Sequence, residues 1–376
     1  MHQVSIASWG RGPSGRGWHW RLVQVAVGTA VVVCVVVVSL VATGSHRDVA
    51  AGSAGESGGG APVGSGSPTR NVRRGLPTLG SSRVVERDDV GDPFVLTVPA
   101  GVSDHPKSRY VLYWTTDWQS NVPTAVSSDL VHWRRVADSL PNLPSWALPS
   151  RTMTWGPTAH RVGNAWVLYY STEDATFRLE CIGRATSTTP TGPFSDLSSA
   201  PLLCQSSLGG DIDPSVVTDA SGASSLVWKN DGNATGAPVS IWEQPLAGDG
   251  LSLTGAPTRL IGADQAWEQG MIEGPAMLAS TKGGWWLFYS GGTWQSNTYD
   301  TGVAWCATVS GPCRKTTDAP LLASTPTAVS PGGFDTFVDV HGKLWASYSA
   351  FPSRPANAEA AMAENRVLEI APVLSH

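Results

Sequence analysis

The sequence predicts an all-β fold, a five-bladed β-propeller, preceded by an N-terminal transmembrane helix and a disordered linker. Three observations predict the propeller. Strands centred on aromatic residues recur near positions 113, 169, 228, 288 and 347, in steps of 56, 59, 60 and 59 residues. A short segment marked by Gly or Pro opens each repeat ahead of its strand. Past residue 85 the apolar runs are four to seven residues long, rich in Val, Tyr, Trp and Thr, and bounded by turn residues, which is a strand signature. A fixed period near sixty with only strand signals inside it reads as one blade per repeat. A two-sheet sandwich or a jelly roll leaves that period unexplained.

Residues 1–21 carry Arg11, Arg16 and Arg21 and no acid, and Leu22 to Thr43 is an uncharged apolar run of 22 residues. Such a run is long enough to cross a bilayer, and the flanking charge keeps the N-terminus in the cytoplasm. The expectation is an uncleaved signal anchor over 22–43, with the rest of the chain outside the cell membrane. Cleavage near Val49-Ala50-Ala51, giving a secreted protein, is the rival reading. Residues 44–80 are rich in Gly, Ser, Ala and Pro and read as a flexible tether. Residues 81–376 then form the propeller, and a closed propeller has little need of a partner chain, so a monomer is expected.

Within that domain the openings are Gly91-Asp92-Pro93, Trp155-Gly156-Pro157, Ile212-Asp213-Pro214, Ile272-Glu273-Gly274-Pro275 and Pro331-Gly332-Gly333. The strands that follow are Tyr110–Trp114, Trp166–Tyr170, Ser225–Trp228, Trp285–Tyr289 and Leu344–Tyr348. Hairpin turns precede four of them, at 162–166, 219–222, 280–285 and 340–344. Only Ala356 to Glu364 suggests a helix, and Arg366–Ile370 reads as a closing strand.

Composition narrows the function. A net charge of −5 with no basic stripe excludes nucleic acid as the natural partner. Seventeen tryptophans suit the flat apolar faces of sugars, although most serve as packing between blades. Cys181, Cys204, Cys306 and Cys313 form an even set in the segment expected outside the cytoplasm, where disulfides persist. The pairs Cys181–Cys204 and Cys306–Cys313 are expected, since each falls within one blade. No Cys-x-x-Cys or nearby His supports a metal instead.

Asp92, Asp213 and Glu273 each open a blade, and the repeat assigns them one common position. In a propeller the innermost strands line the channel, so the three acids converge on one mouth. Hydrolysis of a glycosidic bond needs such a pair, one carboxylate to activate water or attack and one carboxylic acid to protonate the leaving oxygen. Asp129, Asp211 and Asp219 read as turn or surface acids.

The runs Gly-Asp-Pro-Phe-Val-Leu at 91–96, Gly-Asp-Ile-Asp-Pro-Ser at 210–215 and Ile-Glu-Gly-Pro-Ala-Met at 272–277 resemble glycoside hydrolase family 43. Ser128–Trp133, Trp155-Gly156-Pro157 and Phe288–Gly291 support the resemblance, which spans about 88–372. The family comprises five-bladed propellers that include arabinanases, arabinofuranosidases and xylosidases. The resemblance implies a polysaccharide or oligosaccharide substrate, Asp92 as general base, Glu273 as general acid, and Asp213 as the group that keeps Glu273 protonated and oriented. A base-to-acid separation of roughly 6.5–9.5 Å would invert the anomeric centre. The chemistry requires no cofactor. Many members hold calcium with a channel His, but Gly333 stands where that His would fall. The usual ion is then absent or differently held, with Asp335 offering oxygens.

Trp155 opens its blade at the phase of the acids, to stack on a sugar or to seal the channel. Trp118 and Trp294 occupy loops, where they either bind sugar or pack on their own blades. His160, His341 and Arg366 read as structural or surface groups. A propeller that binds carbohydrate without hydrolysing it is the alternative function.

Overall fold

The computed structural model of the chain describes residues 75–149 and 153–376. The apolar run at 22–43 and residues 44–74 of the expected linker lie outside them. Among the described residues no helix is long and apolar enough to cross a membrane.

Five antiparallel sheets account for the five repeats. Two short strands, β1 (Thr78–Leu79) and β2 (Arg83–Glu86), come first. Blade one contains β3 (Phe94–Thr97), β4 (Tyr110–Tyr113), β5 (Thr124–Ser127) and β6 (Trp133–Arg135). Blade two has three strands, β7 (Thr154–Val162), β8 (Ala165–Glu173) and β9 (Glu180–Ser187). Blade three contains β10 (Asp211–Thr218), β11 (Ser224–Asn230), β12 (Ser240–Pro245) and β13 (Thr258–Gly262). Blade four contains β14 (Ile272–Ala279), β15 (Trp285–Gly291), β16 (Asp300–Cys306) and β17 (Cys313–Lys315). Blade five runs β18 (Val329–Val338), β19 (Leu344–Phe351) and, after the short helix α1 (Ala358–Ala363), β20 (Val367–Ser375). Both β1 and β2 pair with β20, so the start of the domain completes its last blade. The paired region therefore begins at Thr78, just ahead of the boundary expected at 81.

The second strand of each blade is apolar on both faces because both faces are buried. Side chains alternate across a strand. On β4, Val111 and Tyr113 pack with Leu168 and Tyr170 of blade two, whereas Tyr110 and Leu112, with Trp114 just after the strand, pack with Leu368 and Ile370 of blade five. Val167 and Tyr169 meet Leu226 and Trp228, and Val227 meets Leu287 and Tyr289. Trp286 and Phe288 join Phe334 and Tyr348. Five clusters thus fill the five gaps between neighbouring blades, and this alternation is the origin of the sequence period. Disulfides join Cys181 to Cys204 and Cys306 to Cys313, the latter across directly paired residues of β16 and β17.

Candidate active site

Near the axis each blade carries one residue in the left-handed backbone region. These are Asp92 (φ 49°), Gly156 (53°), Asp213 (56°), Gly274 (58°) and Gly333 (61°). In blades two to five the strand register slips at this point, between Trp155 and Thr158, Ile212 and Ser215, Glu273 and Ala276, and Gly332 and Asp335. Such bulges re-aim side chains beside active sites. The five residues also press on one another. A Cβ on Gly156 would lie 3.1 Å from the Asp213 Cα, and one on Gly333 would lie 3.0 Å from the Asp92 Cα. Asp tolerates a left-handed backbone better than most residues, and Gly needs no tolerance at all.

This ring corrects the expected equivalence of the three acids. Asp92 and Asp213 occupy the left-handed position itself, whereas Glu273 sits one residue earlier, ahead of Gly274. Its counterparts are Gly91, Trp155, Ile212 and Gly332, as the strand register shows. The offset is carried by the prolines: Asp92, Gly156, Asp213 and Gly274 each directly precede Pro93, Pro157, Pro214 and Pro275, and Glu273 stands one residue further back, a difference that strand centres spaced by 56 to 60 residues do not resolve.

The three acids are nevertheless neighbours. Asp213 is pushed well above the ordinary carboxylate range by burial, then by the charges of Glu273 and Asp92; Lys229 and the Gly274 N–H oppose the shift. Asp92 is also raised, mainly by burial, against the opposing Arg366 charge and Thr115 hydrogen bond. Thr115 Oγ1 donates to Asp92 Oδ2 at 2.6 Å, and the Gly274 N–H donates to Asp213 Oδ2 at 2.9 Å. Glu273 Oε2 accepts from the Lys229 ammonium at 3.1 Å.

Lys229 and Tyr299 belong to the site although the sequence reading overlooked both. Lys229 is 1% exposed and is held by Glu273 and Asp231. Burial alone would lower its pKa, but the carboxylates of Glu273, Asp231 and Asp213 outweigh it and raise the value. The buried phenol of Tyr299 is raised well above 10 by desolvation and by Glu273, Asp92 and Asp213. The signal for Lys229 was its place at the end of an otherwise apolar strand, where the other blades carry Ser or Thr. Tyr299 offered none, since it lies in no repeated motif.

Arg366 is not the surface group expected. Its guanidinium lies against Gly91, pairs with Asp89 at 3.3 Å and stacks on Trp294 with 4.7 Å to the ring centroid. Trp294 in turn packs with the cluster of Val329, Phe351 and Ala361. Trp155 is half-buried at the Glu273 position of blade two. Trp118 is 39% exposed, on the loop between β4 and β5, with a left-handed backbone. Asp211 is buried rather than on the surface, and accepts the Trp228 indole N–H at 2.8 Å. His160 lines the axial cavity beyond the ring, as does Asp335, which burial raises to about 7.

Calcium takes six to eight oxygen ligands. The axial cavity of about 360 Å³ offers one carboxylate, Asp335, and Gly333 contributes no side chain to the ring. Among the described residues no group of three or more His, Cys, Asp or Glu is placed to hold a metal. The residues present do not make a calcium cage, and no step below uses one.

Three half-buried carboxyl groups around a propeller axis, one on a lysine and one on a threonine, are the equipment of a hydrolase that works by proton transfer. The sequence matches the family description "Glycosyl hydrolases family 43" over residues 85–373, and the chain belongs to that family, whose members are glycosidases. The fold is similar to that of a thermostable family-43 glycoside hydrolase, with 23% identity, 79% of this chain and 92% of the other covered, and a TM-score of 0.63. It is also similar to an endo-1,4-beta-xylanase from Bacteroides thetaiotaomicron VPI-5482, with 25% identity, 77% and 91% coverage and a TM-score of 0.60. An endo-arabinase from the same organism shares 20% identity, with 78% and 98% coverage and a TM-score of 0.61. A search of curated proteins found no match.

Proposed function

We propose that this chain is an inverting glycosidase acting outside the cytoplasm on arabinose- or xylose-containing glycans. The observation that carries the reading is the convergence of the three acids near the propeller axis, where Asp92, Asp213 and Gly274 line one pocket and the Gly274 N–H, next to Glu273, donates to Asp213 Oδ2 at 2.9 Å. In this reading Asp92 takes a proton from water as the water oxygen bonds to the anomeric carbon. The bond from that carbon to the leaving oxygen breaks as Glu273 gives the oxygen a proton. Attack from the face opposite the leaving group inverts the centre. Asp213, held by the Gly274 N–H, orients Glu273 and keeps a proton within the site. Trp155 faces the sugar, while Trp118 and Trp294 contact neighbouring sugars from the rim. Pentose substrates rest on the family and on similarity to a xylanase and an endo-arabinase. The apolar run at 22–43 and the two disulfides support work outside the cytoplasm, anchored or released, by a monomer.

The test is product release by the full-length chain from arabinans, arabinoxylans and aryl pentosides, with anomeric configuration followed by NMR. Glu273→Gln and Asp92→Asn are expected to lower kcat at least 100-fold while leaving the fold intact. First-formed product of retained configuration would reject the inverting assignment. Glycan binding without any release, equal in all three proteins, would replace the enzyme reading with a carbohydrate-binding propeller.

A further inference from the structure

One position repeats at the axial end of every second strand. It is the residue paired with the position just before each left-handed one: Thr115, Ser171, Lys229, Ser290 and Ser349. Four carry a hydroxyl, and three of these lace neighbouring blades together. Thr115 accepts the Gly156 N–H at 3.1 Å, Ser171 accepts the Asp213 N–H at 3.1 Å, and Ser290 accepts the Gly333 N–H at 3.0 Å. Ser349 donates to the Gly332 carbonyl at 3.1 Å. An ammonium has no lone pair and cannot accept. In blade three the next N–H, that of Gly274, goes to Asp213 instead. Lys229 spans from Asp231 (3.2 Å) to Glu273 (3.1 Å). Burying an ammonium is costly, and a hydroxyl serves the fold in four other blades. The exception therefore points to chemistry.

Resting on the reading of Glu273 as the acid, we propose that Lys229 is a positioning residue that fixes the Glu273 carboxyl and stabilises the carboxylate it becomes on giving up its proton. A general acid gains negative charge in the transition state, and a preorganised cation beside it counts more there than in the ground state. Several charged groups bear on Lys229. Glu273 faces it from β14, Asp213 from β10 and Asp231 from the end of its own strand. Glu180, on β9, and Asp211 feel Asp231, while Tyr299 feels Glu273, Asp92 and Asp213. Lys229 opposes the upward shift of Asp213, so its loss lets the site keep a proton to higher pH.

Full-length Lys229→Met and Lys229→Ser separate this role from a structural one. Aryl pentosides with a dinitrophenolate leaving group need little protonation, whereas those with an unsubstituted phenol need much. We expect both variants to lose roughly 10- to 100-fold in kcat/KM on the poor leaving group and little on the good one. The basic limb of the pH profile should move up by about one unit. Serine restores the hydroxyl of the other blades, so a purely structural lysine predicts that Lys229→Ser regains activity on both substrates. Equal losses on both substrates, or recovery in Lys229→Ser, would overturn the proposal. Thermal melts identify any variant that fails to fold, and the remaining variant then decides. Glu273→Gln is the reference: if it lacks the leaving-group dependence, the assignment of the acid fails. If Glu273→Gln shows the dependence and the Lys229 variants do not, the inference about Lys229 alone fails.

Discussion

Gly333 shows how tightly single residues define this site. Its backbone is left-handed, and an added Cβ would sit 3.0 Å from the Asp92 Cα. Gly333→Ala therefore meets two penalties, the strained backbone and the push on Asp92. Gly163 is a natural control, since it is also left-handed but has nothing within 4 Å of a built Cβ. We expect Gly163→Ala to cost about 1 kcal/mol and leave kcat unchanged. Gly333→Ala should cost roughly 2–4 kcal/mol and lower kcat at least tenfold. Thermal melts and initial rates on both variants test this, and equal effects would show that the ring does not hold Asp92. The same residue marks a limit of sequence reasoning. Three acids ahead of Gly or Pro were legible as a converging set. Their one-residue offset lies in Glu273-Gly274-Pro275 against Asp92-Pro93 and Asp213-Pro214, and a repeat aligned on strand centres does not resolve a single residue. Lys229 was hidden for a different reason: a lysine at a strand end ordinarily points into water.

At the scale of elements, the second strands were legible because each is buried on both faces and holds a continuous aromatic run. The three-stranded second blade was not, since a missing outer strand removes only weak, half-exposed signals. That blade carries a testable liability at the start of β9. Glu180 is 6% exposed, and neither carboxyl oxygen has a hydrogen-bond partner among the described residues. Burial, aided by the charges of Glu173 and Asp231, raises it to about 9. A carboxyl raised in the folded state favours folding while protonated, so its contribution is complete below the unfolded value near 4.5 and is lost as pH rises towards 9. Glu180→Gln removes this titration. The variant should therefore gain more in Tm over wild type at pH 8 than at pH 5. A gain independent of pH would mean that Glu180 does not titrate in this window.

The whole molecule closes on itself by a device the sequence period does not announce. Strands β1 and β2 precede the first blade yet pair with β20 of the last. They were hard to foresee because both are short and neither belongs to a repeat of its own. Leu76 and Leu79 pack on the cluster between blades four and five, and Val85 packs on the cluster between blades five and one. The same crossing leads directly to the site: Asp89 holds Arg366, the Val90 N–H donates to the Arg366 carbonyl at 2.9 Å, and Asp92 follows two residues later. Closure and the candidate site are therefore linked through one short segment. Removing residues 1–87 should expose the outer edge of β20 and leave Asp92 on a loose end. An uncovered strand edge invites pairing with other chains. We expect the truncated protein to melt at a lower temperature, to associate more than the full chain at equal concentration, and to lose kcat even where it remains folded. Light scattering and rates measured below the new melting temperature distinguish the last two effects. A truncated chain with unaltered Tm and kcat would show that blade five closes the ring without its N-terminal strands.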